Sequence, residues 1–215
     1  MKRKIALILA AVSCVMLLVA GKSNFVGYDK AKESGLAFLR TAYGLEATEV
    51  KSKLCAKINR VVIDGTGVGK ESATAGNFYH VAVFDPKENY PYYTAEVNAI
   101  TGVAYRAQYA RRYIHLTKEQ ENKANSLGAL ESFVDFDFSQ YKQDAADAAR
   151  RFVQDHFAAK DAITSVFPQT VRTESDIFPM VDVDSLVIMK SGAVYQITVC
   201  WPSMTVIDIQ LLGED

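Results

Sequence analysis

Side chains able to do acid–base or nucleophilic chemistry are few in this chain, and they are scattered. Its 215 residues contain three histidines, His80, His115 and His156, and three cysteines, Cys14, Cys55 and Cys200. A histidine base becomes catalytic only when it holds a nucleophile and is itself oriented by a third group. His80 lies inside an alternating, strand-like run, and His156 falls on the apolar face of a helical pattern. Both therefore read as structural histidines. No Gly-x-Ser-x-Gly elbow, CxxC or HxxxH spacing occurs, so neither a serine hydrolase nor a metal centre is expected. The glycine-rich stretch Asp64–Ser72 looks like a phosphate loop. However, it places Asp64 at the position of the first glycine and Glu71 after Lys70, and two carboxylates would face the phosphates. It reads as a hairpin loop. The carboxylate pairs Asp135/Asp137 and Asp182/Asp184 could suggest glycoside or calcium chemistry. Alternation puts each pair on one strand face, and the expectation is a solvated face. No cofactor is expected, and the chain reads as a non-enzyme.

Other residues point to binding. Tyr90, Tyr92 and Tyr93 crowd the segment Glu88–Glu96, and tyrosine presents contact area and a polar tip together. They form a candidate interaction surface. Cys55 and Cys200, one in each half, are a possible disulfide if the chain is exported.

The elements that must position these residues follow from periodicity. Ala31, Gly35, Phe38, Leu39, Ala42 and Tyr43 share one helical face, as do Ala145, Ala149, Phe152, Val153, His156 and Phe157. A shift of 114 residues superimposes the two stripes, Ala31 on Ala145 through Tyr43 on Phe157. Strand-like segments with period two follow each helix, joined by turns at Asp64-Gly65, Asp85-Pro86, Thr101-Gly102, Ser191-Gly192 and Trp201-Pro202. The expected class is α+β, each half a helix packed on an antiparallel meander. The expected organisation is residues 1–21 as a leader, 22–115 as a first domain, 116–139 as a linker with a short helix in its first part, and 140–215 as a second domain.

Charge supports that division. Residues 22–115 carry 13 basic and 9 acidic side chains, net +4, and residues 116–215 carry 8 and 16, net -8. Opposite signs favour contact between the halves. No basic patch calls for nucleic acid. The leader begins with Lys2, Arg3 and Lys4, and 17 uncharged residues follow. This is an export pattern or a short membrane anchor over residues 5–21. Val19 and Gly21 are small enough for cleavage before Lys22, and Cys14 offers a weaker lipidation site. The expected location is extracellular or cell-envelope, with the membrane met only through the N-terminal segment.

The run Val97-Asn98-Ala99-Ile100-Thr101-Gly102, between two alternating segments and behind a helix, resembles the turn of the PepSY domain family. Asn98 can bond backbone amides within such a turn, and Gly102 can take a positive φ freely. The resemblance covers roughly residues 28–110. It implies two PepSY/cystatin-like units, the second degenerate because no such turn closes it. It further implies a non-catalytic module that restrains or regulates a peptidase or another envelope protein. The alternatives are a small-molecule binder using the concave sheet face and, behind it, a hydrolase using His80 or His115.

Overall fold

The computed structural model describes residues 25–47, 50–56, 77–84, 90–125, 139–158, 161–173 and 180–212. The leader with Cys14, the Asp64–Ser72 loop, the Asp85-Pro86 turn and the pair Asp135/Asp137 lie outside them. Among the described residues no helix is long and apolar enough to cross a membrane.

The chain is α+β. Helix α1 (Tyr28–Tyr43) precedes β1 (Lys51–Ala56), β2 (Asn77–Phe84), β3 (Pro91–Asn98) and β4 (Ala104–Tyr109). A 3-10 turn (Arg111–Tyr113) and helix α2 (Lys118–Asn125) come next. Helix α3 (Ser139–His156) then precedes β5 (Ile163–Thr173), β6 (Val181–Met189), β7 (Val194–Trp201) and β8 (Thr205–Leu212). All eight strands form one antiparallel sheet in the order β1-β2-β3-β4-β8-β7-β6-β5. The two meanders are thus fused through their last strands, with Arg106, Ala107 and Gln108 opposite Gln210, Ile209 and Asp208.

Both long helices lie on one face. α1 packs on β1 to β4, and α3 on β5 to β8. Ring contacts Phe38–Phe157 (5.7 Å) and Tyr43–Phe152 (6.1 Å) bring the helices side by side. Numbers rise along α1 as they fall along α3, so the helices are antiparallel. The stripes face the sheet: Ala31, Leu39, Ala145, Ala149 and Val153 are buried against Val81, Val97, Ala107, Val183, Ile197 and Ile209. Gly35 permits the closest approach, since a Cβ there would stand 2.9 Å from Val81 side-chain carbons. α2 and the start of α3 close the far end, where Ala124 and Tyr141 pack on Val181 and Trp201.

His156 departs from the expected apolar face. It is exposed, its ring against Phe152 at 4.8 Å, because the last turn of α3 presents this side to solvent.

Candidate functional site

The face of the sheet away from the helices carries the polar chemistry. Alternation sends Thr94 and Glu96 of β3, Arg106 and Gln108 of β4, Gln196 and Thr198 of β7, and Asp208 and Gln210 of β8 there, and pairing aligns them in rows across strands. Register shifts at Glu96/Val97 and Thr198/Val199 turn Ala104 and Val206 to the helix side instead. One row runs Lys53, His80, Glu96, Arg106, Gln210, Gln196. The next runs Thr94, Gln108, Asp208, Thr198, Asp184. Arg106 and Asp208 meet where the two halves join. Arg106 Nε donates to both Asp208 oxygens, at 3.0 and 3.1 Å, and its Nη2 closes the fork. Gln108 Nε2 donates to the same carboxylate at 3.0 Å, and Glu96 approaches Arg106 at 3.4 Å while accepting from the Tyr105 hydroxyl at 2.8 Å. Burial works against the Arg106 charge, but the Asp208 hydrogen bond and charge outweigh it, so its pKa lies above the ordinary range.

Three strands away, Asp184 accepts from Arg172 Nη2 and from the Thr198 hydroxyl, both at 2.7 Å. Asp182 pairs with Arg111 from the 3-10 turn. The expectation of a solvated Asp182/Asp184 face is therefore corrected: the two are 2% and 6% exposed. Alternation fixed their side of the sheet, but it carried no information about the arginines that β5 and the 3-10 turn bring over them. Between the Arg106–Asp208 and Arg172–Asp184 pairs lies a depression of about 250 Å³, floored by Gln196, Thr198 and Gln210 and rimmed by Thr170. It offers donors and acceptors of both signs, which suits an extended polar segment better than a compact apolar molecule.

The other expected site residues are dispersed. His80 stands between Lys53 and Glu96, and burial pushes its imidazole below the ordinary 6.5. His115 is exposed beyond the 3-10 turn. Tyr93 turns to the helix side, between Tyr43 (5.2 Å) and Tyr109 (5.1 Å), and burial raises its pKa. Tyr92 stacks on Tyr113 at 3.8 Å. Of the three tyrosines Tyr90 alone is exposed, with the Arg112 guanidinium 4.6 Å from its ring. The possible Cys55–Cys200 disulfide is corrected too, because both cysteines are free. They lie on β1 and β7, five strand spacings or roughly 24 Å apart, whereas a bridge needs Cα atoms within about 7 Å. Burial pushes the Cys200 thiol up to about 11. Among the described residues no three His, Cys, Asp or Glu side chains gather as metal ligands.

The Val97–Gly102 run forms the β3–β4 turn. Asn98 Oδ1 accepts from the amides of Ile100 and Thr101 at 2.9 and 3.0 Å, and Gly102 takes φ 75°. The turn also receives the chain ahead of α1. Val26 N–H donates to the Ala99 carbonyl at 2.8 Å, and the Val26 carbonyl accepts from the Tyr79 hydroxyl at 2.5 Å. Ala99 is fully buried beneath this strap. The arrangement is a structural clasp, and none of its groups is positioned for acid–base work.

No family model and no curated protein matches the chain. Among solved structures it is similar to the Bacillus megaterium YpeB C-terminal domain, at 13% sequence identity and a TM-score of 0.44. The match covers 86% of this chain and 63% of that one, so the chain spans less than two thirds of that structure's length.

Proposed function

We propose that this is a non-catalytic, exported binding module, built of two PepSY-like units, that regulates another envelope or secreted protein, a peptidase being the leading class. The partner docks on the open face of the sheet, in the depression between Arg106–Asp208 and Arg172–Asp184. That depression is the observation that carries the reading. Its charges are already neutralised in pairs, so a docking segment meets oriented donors and acceptors at little desolvation cost to the site.

Capture at a sheet edge is the weaker placement. β5 is broken by register shifts after Ile163 and Pro168, and proline cannot donate to an added strand. β1 presents exposed Lys51 and Lys53, a usual guard against edge pairing. A small-molecule site is disfavoured by size, because such pockets typically hold about 300–1,000 Å³ and bury most of the ligand. Hydrolysis would require a nucleophile beside His80, whose cross-strand neighbours are Lys53 and Glu96.

Site-specific photo-crosslinking in the native envelope tests the placement. A photoreactive residue at Thr170 or Gln210 is expected to yield one discrete adduct, identifiable by mass spectrometry and lost on adding Arg172→Glu. Adducts confined to a probe at Tyr90, or to probes along β1, would move the partner off this face.

A further inference from the structure

We propose that the end of the molecule formed by the β3–β4 turn and the start of α1 rests on a lipid bilayer, its apolar side chains dipping into the interface. This extends the export reading and assumes that residues 5–21 stay in the membrane; it is independent of where the partner docks.

Among the described residues five large apolar side chains are exposed: Tyr28, Tyr90, Ile100, Val103 and Phe167. Three of them gather at this one end. Ile100 (59% exposed) and Val103 (41%) flank the turn, and Tyr28 (51%) opens α1 two residues after Val26, which is bonded to the turn. The turn is rigid: Asn98 ties its backbone, and Gly102 is overlaid by Val26 and Lys30, each 3.1 Å from where a Cβ would stand. The apolar groups are therefore presented in a fixed arrangement.

The opposite end of the sheet shows how such an end is otherwise finished. There the β7–β8 turn and the start of α3 bring Trp201, Met204 and Tyr141 together, and α2 covers them through Ala124. No described element covers Tyr28, Ile100 and Val103 in the same way.

Chain length selects the occupant. Only five residues, 22–26, follow Gly21, the last of the apolar leader, up to and including Val26. Fully extended they reach at most about 18 Å. If residues 5–21 span the bilayer, this end is held against it, while Tyr90, at the other end of β3, is carried away by the length of the strand. A tyrosine beside exposed aliphatics is the composition that settles at a membrane interface. In the first two turns of α1 the charges balance, Asp29 and Glu33 against Lys30 and Lys32. Contact is accordingly apolar and insensitive to salt, unlike binding through a basic patch.

Brominated-lipid quenching of tryptophan reads the contact directly. The full chain is reconstituted in phosphatidylcholine vesicles with tryptophan at Ile100 (Ile100→Trp), at Val103 (Val103→Trp) or, as the remote control, at Phe167 (Phe167→Trp). Native Trp201 is buried at the opposite end and gives a common background. Brominated chains are expected to quench the added emission roughly two-fold at positions 100 and 103 and to leave that at 167 unchanged, in low and high salt alike. The two turn variants guard against one failing to fold. Equal quenching at all three positions, none at 100 and 103, or release of the chain from the vesicles would overturn the proposal. Quenching that disappears in high salt would overturn the apolar mechanism. Unquenched emission at 100 that is already blue-shifted without lipid would assign the surface to the chain's own leader.

Discussion

Single side chains on the open face are tuned by what crosses over them. His80 is the clearest case for pH dependence. Its pKa is lowered in the folded chain, by burial first, with Glu96 opposing and Lys53 adding a smaller lowering. The unfolded chain then binds more protons than the folded one in the window just below 6.5, so this group's contribution makes stability rise with pH there. Denaturant midpoints of the wild type and His80→Gln, compared across pH 4.5 to 7.5, are expected to converge above the window and to separate below it, the variant being relatively more stable in acid. Parallel curves would show that the imidazole is not buried as described. The same scale marks a limit of sequence reading. Asn98 and Gly102 were legible because a turn is made by neighbours in the chain. Asp182 and Asp184 were misread because their arginine partners, Arg111 and Arg172, come from elements that no local pattern connects to them.

At the scale of elements, the helices were the most legible part. A period of 3.6 is a local property, and the aligned pairs Ala31/Ala145 and Leu39/Val153 are all buried. His156, exposed at the end of α3, lies where periodicity gives the direction of a side chain but not whether anything lies in that direction. β5 carried no usable signal, because Pro168 and two register breaks erase its alternation. The glycine in the α1 stripe gives a sharp test of packing. In a free helix Gly35→Ala would gain about 1 kcal/mol from propensity. Here the added methyl meets Val81 at 2.9 Å, and Val81 is fully buried in the sheet beneath. Overpacking of this kind costs about 1–3 kcal/mol, so the net expected change is a loss of about 1 kcal/mol. Urea unfolding measures it, and a stabilised variant would mean that α1 rides higher on the sheet.

At the scale of the whole molecule, the outcome that no reading of either half provides is their fusion. Among the described residues each half supplies one long helix and four strands, and opposite net charges favour contact. Joining them edge to edge depends on the meeting of Arg106 and Asp208, 102 residues apart. The seam is short, with three aligned residue pairs, so the Arg106 fork and Gln108 matter more here than surface pairs do elsewhere. Asp208→Ala is expected to cost about 2 kcal/mol, between the values for exposed and buried ion pairs. Amide exchange should speed up first in β4 and β8, while β2–β3 and β6–β7 remain protected. Uniform acceleration across all eight strands would show that the halves open as one cooperative body.

The strap at Val26 has a mechanical corollary. Tension arriving from the N-terminal side reaches residue 25 and passes at once into the Ala99 carbonyl and the Tyr79 hydroxyl, which belong to β3–β4 and β2. The load is shared by three strands before the first turn of α1 feels it. A tug on the tether therefore has to shear the strap off the sheet before it can begin to unwind the helix.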